Sequence, residues 1–402
     1  MTATATVEPP RGRLRVDVIF TLILLVGLVV RIDLALNEEY VHDEAGTAIP
    51  LSKVISFDPD TLHLPVRAEN HGALPAYIVK ASGALFGTSR IGYRALHVLL
   101  GLTTVVLVFL VAKQWYGPVA ARWAAGLLAF NEYFLAISAR ATAHVPHLFF
   151  LTAALYAFSR FLAAPRPGYL YLTGIAVGLA FYCKEHAALL LPVLLLALLH
   201  RSYRPWLRGP HPYLACVAFL LVISPDLYWN LTTDRETARV PYSEVPVGYS
   251  TYQSHLERIG GLGFSVYPTA FYAREAVKPL YRLATGDELL DDTPEYESMT
   301  PALGVLLLAA VLLTTFRPAS RDSLRRFLLL WFWGIFGFFT LVARGSPPGR
   351  LDPVSWIWVE GTMFPAVILA GAWLARLRGE PRFVLSTLTA GALAYAVWRV
   401  GS

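Results

Sequence analysis

Apolar runs long enough to cross a bilayer recur from end to end of this 402-residue chain, and they limit its fold more than any other feature. A spanning helix needs roughly 20 mostly apolar residues, because backbone in hydrocarbon must satisfy its own N–H and C=O groups. Eleven candidate spans can be marked, at 16–36, 91–112, 123–139, 145–159, 169–183, 187–199, 212–228, 301–316, 327–343, 362–375 and 383–400. The chain is 55% hydrophobic and 15% charged, whereas soluble domains average about 45–50% apolar and about 25% charged. The expected fold is therefore all-α, a polytopic transmembrane helical protein with residues 1–402 as one membrane domain. Two long stretches, 37–90 and 229–300, fall outside the membrane on the same side.

The net charge of +6 is a topology signal rather than a nucleic-acid patch. With the N-terminus in the cytoplasm, the inner segments are 1–15, 113–122, 160–168, 200–211, 317–326 and 376–382. They hold 17 of the 34 Lys and Arg, but only Glu8, Asp322 and Glu380 of the 28 acids. Short arginine-rich inner loops are the expected mark of orientation. This predicts a multi-pass protein of the cell membrane with its working face outside the cytoplasm. Arg11, Arg13 and Arg15 precede the first run without a convincing small-x-small cleavage site after it, so that run reads as an uncleaved anchor. Two cysteines, Cys183 and Cys216, both inside apolar runs, point to neither a disulfide framework nor a Cys metal site.

Chemistry is expected at the outer ends of the spans. His42, Asp43 and Glu44 stand just past the first span, after Glu38 and Glu39, which read as solvated. Arg140 and Lys184 end spans on the outer face, where such residues either meet an anion or snorkel to the interface. Arg344 and Arg350 lie in the late outer loop. The histidines His42, His71, His144 and His186 share the outer boundary; they could ligate a metal with Asp43, serve as acid or base, or simply be interfacial. Glu132 falls in the third run, where an ionised acid is costly unless paired or functional. In the first outer stretch, Ala73–Phe86 is too short to span and reads as an interfacial or re-entrant helix. The second is aromatic and Gly/Pro-rich, then acidic over 287–292 as a solvated loop. Trp331, Phe332 and Trp333 suit a lipid groove or ordinary packing equally.

Several short motifs occur in a recognisable order. The acidic motif after the first span is followed by Asn70-His71-Gly72-Ala73-Leu74-Pro75-Ala76-Tyr77, then Phe86-Gly87 before a span with Arg94 near its start. Trp115-Tyr116-Gly117 lies inside, Ser138-Ala139-Arg140 ends the third span, and Cys183-Lys184-Glu185-His186-Ala187 ends the fifth. Over roughly residues 16–380 this resembles the GT-C glycosyltransferases that use polyprenyl-phosphate-linked sugars, in the branch of the protein mannosyltransferases and lipid A aminoarabinose transferases. It is particularly similar to a bacterial and archaeal subgroup named for association with glycolipid flipping. In that family the acid after the first span is the catalytic base or helps hold a divalent metal ion.

The resemblance implies catalytic roles for Asp43, Glu44 and His71. For substrate binding the residues' own chemistry offers Arg140, Lys184, Glu185, His42, His144, Glu132 and Arg350. The family's second acid lies between the third and fourth spans, but residues 138–147 contain no carboxylate, and Glu132 is the nearest one. The usual His-Pro-Pro is here His71-Gly72-Ala73. The implied activity is hexosyl or pentosyl transfer from a polyprenyl-phosphate sugar lipid donor to an extracytoplasmic glycan, lipid or protein acceptor in the cell envelope. Two alternatives stand beside it. A glycolipid transporter or flippase would tend to show repeated halves and helices broken at the bilayer midplane, and no repeat is evident. A non-catalytic partner in envelope glycan assembly would explain the missing acid.

Overall fold

In the computed structural model the described residues are 17–41, 43–54, 67–68, 71–232, 265–285, 299–317, 322–341, 357–377, 390–391 and 394. Helix α1 (Val18–Asn37) starts where the Asp17 carboxylate accepts the Phe20 N–H at 3.2 Å, and it stops where Glu38 turns extended. Only Gly27, Arg31, Leu34 and Ala35 of α1 are buried; Val18, Leu22, Leu25, Val29 and Leu36 face outward. An apolar outer face of that size suits lipid, not water. Arg31, deep in this helix, turns inward: its Nε donates to Ser138 Oγ at 2.7 Å, and the guanidinium lies 5.3 Å from the centre of the Phe134 ring.

After α1 the chain forms a π-helical turn (Asp43–Ala48) that runs into α2 (Ile49–Val54). A two-residue antiparallel ladder follows, β1 (Arg67–Ala68) with β2 (His71–Gly72), pairing Arg67 with Gly72 and Ala68 with His71. Helix α3 (Leu74–Phe86) then occupies the short apolar run expected there.

Helix α4 (Arg90–Ala129) merges what the hydropathy divides into a second span, an inner loop and most of a third span. Its two halves meet at Gly117, with φ 85° and ψ 175°, a conformation essentially confined to glycine, and Pro118 begins the next stretch. The expected span 123–139 is not one helix. It breaks at Phe130–Asn131, where the Asn131 side chain accepts the Phe134 N–H at 2.9 Å and so caps a new helix, α5 (Glu132–Ser138). Glu132 accordingly sits at the start of α5 rather than inside a span, and it is buried.

The rest of the bundle is α6 (His144–Ala163), α7 (Pro167–Cys183), α8 (Leu190–Leu198), α9 (His211–Thr232), α10 (Tyr267–Thr285), α11 (Pro301–Thr315), α12 (Ser323–Leu341) and α13 (Met363–Arg376). Short 3₁₀ turns precede α8 (Glu185–Leu189), α9 (Arg204–Arg208) and α13 (Ile357–Thr362). Lipid tails are as apolar as the helices, so tight association depends on small residues that let backbones approach. That is what joins α4 to α13: Ala120, Ala121, Ala124 and Ala125 are wholly buried, and a Cβ on Gly371 would stand 2.6 Å from the Ala120 carbonyl oxygen. Trp331 and Phe332 prove to be core, with Trp331 Nε1 donating to Gly361 O at 3.1 Å.

Among the described residues, five helices are long and apolar enough to cross a membrane: α1, α4, α6, the first 18 residues of α9, and α12. Four shorter apolar helices accompany them, over Leu74–Phe86, Pro167–Cys183, Glu185–Leu198 and Pro301–Thr315. The fold is thus all-α apart from one small ladder, and the chain is a multi-pass membrane protein. The eleventh expected run, 383–400, lies outside the described residues except at 390, 391 and 394, as does most of 229–300.

Candidate active site

A buried cluster of charge gathers where α5, α6, the end of α7 and the turn before α13 meet. Lys184 is the extended residue at which α7 stops; its N–H still closes that helix on Ala180 O at 2.9 Å, and its side chain is buried. The ammonium lies 2.8 Å from His144 Nδ1 and 3.3 Å from Glu360 Oε1. Glu360 is fully buried in the turn Ile357–Thr362, and its Oε2 accepts the Tyr133 hydroxyl at 2.5 Å. The same oxygen stands 2.8 Å from His144 Nδ1. One ring nitrogen therefore faces both the ammonium and the carboxylate, and it can accept from the first or donate to the second, not both. The turn is held from two sides, by Trp331 on Gly361 O and by the Tyr272 hydroxyl, 2.6 Å from Thr362 Oγ1.

Burial alone would raise the Glu360 carboxyl, but the Lys184 charge and His144 beside it hold it well below the usual carboxylate range. Burial lowers the Lys184 ammonium, with Glu360 and then Asp43 partly offsetting it. Asp43 is exposed at the start of the π-helical turn, yet close enough for its charge to act on both Lys184 and His144. An exposed carboxylate thus acts on a buried cation.

The expected residues sort themselves by partner. His144 and Lys184 are in contact, and the charge of Asp43 acts on both. Glu44 does not join them: its two oxygens take Arg94 Nε at 2.8 Å, Arg94 Nη2 at 2.6 Å, the Ala141 N–H at 2.7 Å and the Val41 N–H at 3.1 Å. Arg94 completes the clamp by donating to the carbonyls of Ala35, Glu38 and Glu39. With every lone-pair direction engaged, Glu44 holds the exit of α1 in place.

Arg140 turns to Glu38, which takes both Nε, at 2.9 Å, and Nη2. Glu38 is therefore ion-paired, contrary to its reading as a solvated acid. The acid facing Lys184 is Glu360, not its sequence neighbour Glu185, which opens the following 3₁₀ turn. Glu132 is buried beside Tyr133, whose hydroxyl reaches Glu360.

At His71 the backbone can be placed. Gly72 beside it packs on the end of α7 so closely that a Cβ there would stand 2.1 Å from Tyr182 O, two residues from Lys184. His42, Arg344 and Arg350 lie outside the described residues, as does the side chain of His71.

The resemblance expects an acid-held metal near Asp43. The neighbours on which that carboxylate acts are an ammonium and an imidazole, and Glu44 is locked to Arg94.

Two groups of the cluster escaped sequence reasoning. Glu360 comes from just before a late apolar run, far in sequence from residues 138–147. A lone acid at the entrance to such a run was the available signal. Tyr133 carried none, being one aromatic residue among many.

Comparison with known proteins agrees with this architecture. Residues 70–229 match the family model of dolichyl-phosphate-mannose-protein mannosyltransferases. An uncharacterised protein of Aquifex aeolicus is 30% identical over 155 residues, which are 38% of this chain and 31% of that protein. The crystal structure of ArnT from Cupriavidus metallidurans bound to undecaprenyl phosphate aligns with a TM-score of 0.62 at 20% identity, over 94% of this chain and 63% of that one. The archaeal oligosaccharyltransferase AglB from Archaeoglobus fulgidus, in complex with an inhibitory peptide and a dolichol-phosphate, aligns with a TM-score of 0.51 at 16% identity, over 95% of this chain and 55% of that one. The chain spans less than two thirds of each of these relatives, and at such identities the structural likeness is one of fold. The family-model match covers less than half of the chain, and what the chain shares with ArnT and AglB over nearly its whole length is the fold.

Proposed function

We propose that this protein moves a sugar from a polyprenyl-phosphate-linked donor to an acceptor hydroxyl at the extracytoplasmic face of the membrane. The observation that carries the reading is a buried Lys184 ammonium, in contact with His144 and Glu360, on which the charge of the exposed Asp43 carboxylate also acts. The acceptor oxygen attacks the anomeric carbon, and its proton passes to Asp43. The bond from that carbon to the lipid phosphate breaks, leaving its electron pair on the phosphate oxygen. Lys184 stabilises the new negative charge, and a cation held away from water does so most effectively. Glu360 and His144 position the ammonium. A polyprenyl phosphate bound to ArnT and a dolichol-phosphate bound to AglB support a lipid-phosphate ligand on this fold. The basic inner loops support the outward orientation.

The test uses detergent-purified protein with radiolabelled polyprenyl-phosphate sugars and an envelope lipid, glycan or peptide acceptor. Asp43→Asn is expected to lower turnover about 10²–10⁴-fold, the usual worth of a positioned base. Lys184→Met is expected to lower it about 10²–10³-fold and to weaken retention of the lipid phosphate. Wild-type turnover that survives both substitutions would remove the proposed centre. Lipid translocation in proteoliposomes without sugar transfer would replace it with a flippase.

A further inference from the structure

Behind the Lys184–Glu360 pair lie two histidines that the transfer chemistry does not use. His147, one turn along α6 from His144, is completely buried. Its Nδ1 is 3.1 Å from the carbonyl oxygen of Ala180 in α7. A carbonyl can only accept, so Nδ1 carries the proton and Nε2 is left with a lone pair. Among the described residues nothing donates to that Nε2. The His186 ring packs against His147 with centroids 4.4 Å apart. One nitrogen from each ring and one oxygen of Glu360 lie within 4.8 Å of one another.

We infer that His147, His186 and Glu360 form a binding site for a divalent transition-metal ion of the zinc type. An imidazole whose other nitrogen donates to a backbone carbonyl is the arrangement that fixes tautomer and orientation for metal binding. Two imidazoles and one carboxylate suit zinc, with a fourth position open, while magnesium and calcium favour oxygen ligands. Metal–ligand bonds of about 2.1 Å put tetrahedral ligand atoms about 3.4 Å apart, so the trio has only to contract by side-chain torsions. The site is separate from the metal expected at Asp43, and its occupancy does not depend on the transfer reading.

The experiment takes the full chain, purified without a polyhistidine tag, stripped with chelator and dialysed against Zn²⁺ or Co²⁺. One bound Zn²⁺ per chain and a tetrahedral Co²⁺ absorption spectrum are expected. His147→Ala and His186→Ala should each weaken binding by at least about 100-fold, with His211→Ala, far from the trio in sequence, unchanged. His147→Cys keeps a ligand and should retain the metal while adding a cobalt–thiolate charge-transfer band, which guards against misfolding as the explanation. A wild-type protein that takes up no metal would overturn the site. So would uptake that is unchanged in both alanine variants.

Discussion

At the residue scale, adjacent acids meet opposite fates. Asp43 stays exposed, while Glu44 is sealed in an ion pair with Arg94 whose side chains are both wholly buried. Removing one partner of such a pair strands the other charge and typically costs about 3–5 kcal/mol. Glu44→Ala is therefore expected to lower the thermal unfolding midpoint markedly in detergent. The double variant Glu44→Leu/Arg94→Met should recover part of that loss, because an apolar pair leaves no orphaned charge. A turnover defect in Glu44→Gln with an unmoved midpoint would contradict this structural role. Asp17 offers a second test. Burial works against its ionisation, but the Phe20 N–H and the Arg122 guanidinium outweigh it and lower its pKa. A depressed folded value contributes stability above the unfolded pKa, about 3.9, which is lost as pH falls through the folded one. The unfolding midpoint should thus show an acid limb below about pH 4 that Asp17→Asn diminishes, since asparagine keeps the cap without titrating.

At the scale of elements, helix ends follow capping chemistry that a hydropathy reading does not weigh. Ser89 caps α4 by accepting the Gly92 N–H at 3.2 Å, and Asn131 restarts the chain as α5. Hydropathy averaged over 123–139 does not register the Asn131 break, because apolar residues dominate that stretch. The join at Gly117 is likewise invisible to a hydropathy window, which marks the surrounding polar residues as a loop. A Cβ at Gly117 would meet nothing within 4 Å, so any cost of substitution is conformational alone. Gly117→Ala is expected to destabilise by about 1–3 kcal/mol, read as a lower unfolding midpoint with the same membrane insertion. An unchanged midpoint would mean that the two halves of α4 are not held at this angle.

At the scale of the whole molecule, the described chemistry concentrates at one end of the bundle, and arginine-rich turns occupy the other. Arg326 and His200 meet between α12 and the turn after α8, 2.5 Å apart, at that opposite end. Orientation can be checked in intact cells by replacing Cys216, the exposed native thiol, with serine; Cys183 is buried. A membrane-impermeant maleimide should then label Glu39→Cys from outside and leave Ser202→Cys unlabelled until the cells are opened. The reverse pattern would place the cluster on the cytoplasmic face and exclude an extracytoplasmic acceptor.

The membrane class, the helical content and the regions that offer Asp43, His144 and Lys184 could all be read from the sequence alone. Length and hydropathy are local properties, and the bilayer imposes them on each segment separately. The choice of partner belongs to the tertiary structure. Glu360 reaches Lys184 across 176 residues of chain and Tyr133 across 227, and Glu44 reaches Arg94 across 50. A carboxylate reads the same in sequence whether it faces solvent, clamps an arginine or closes a buried cluster. Only packing, by deciding which charges lose their water and which cation stands within reach, distinguishes the three.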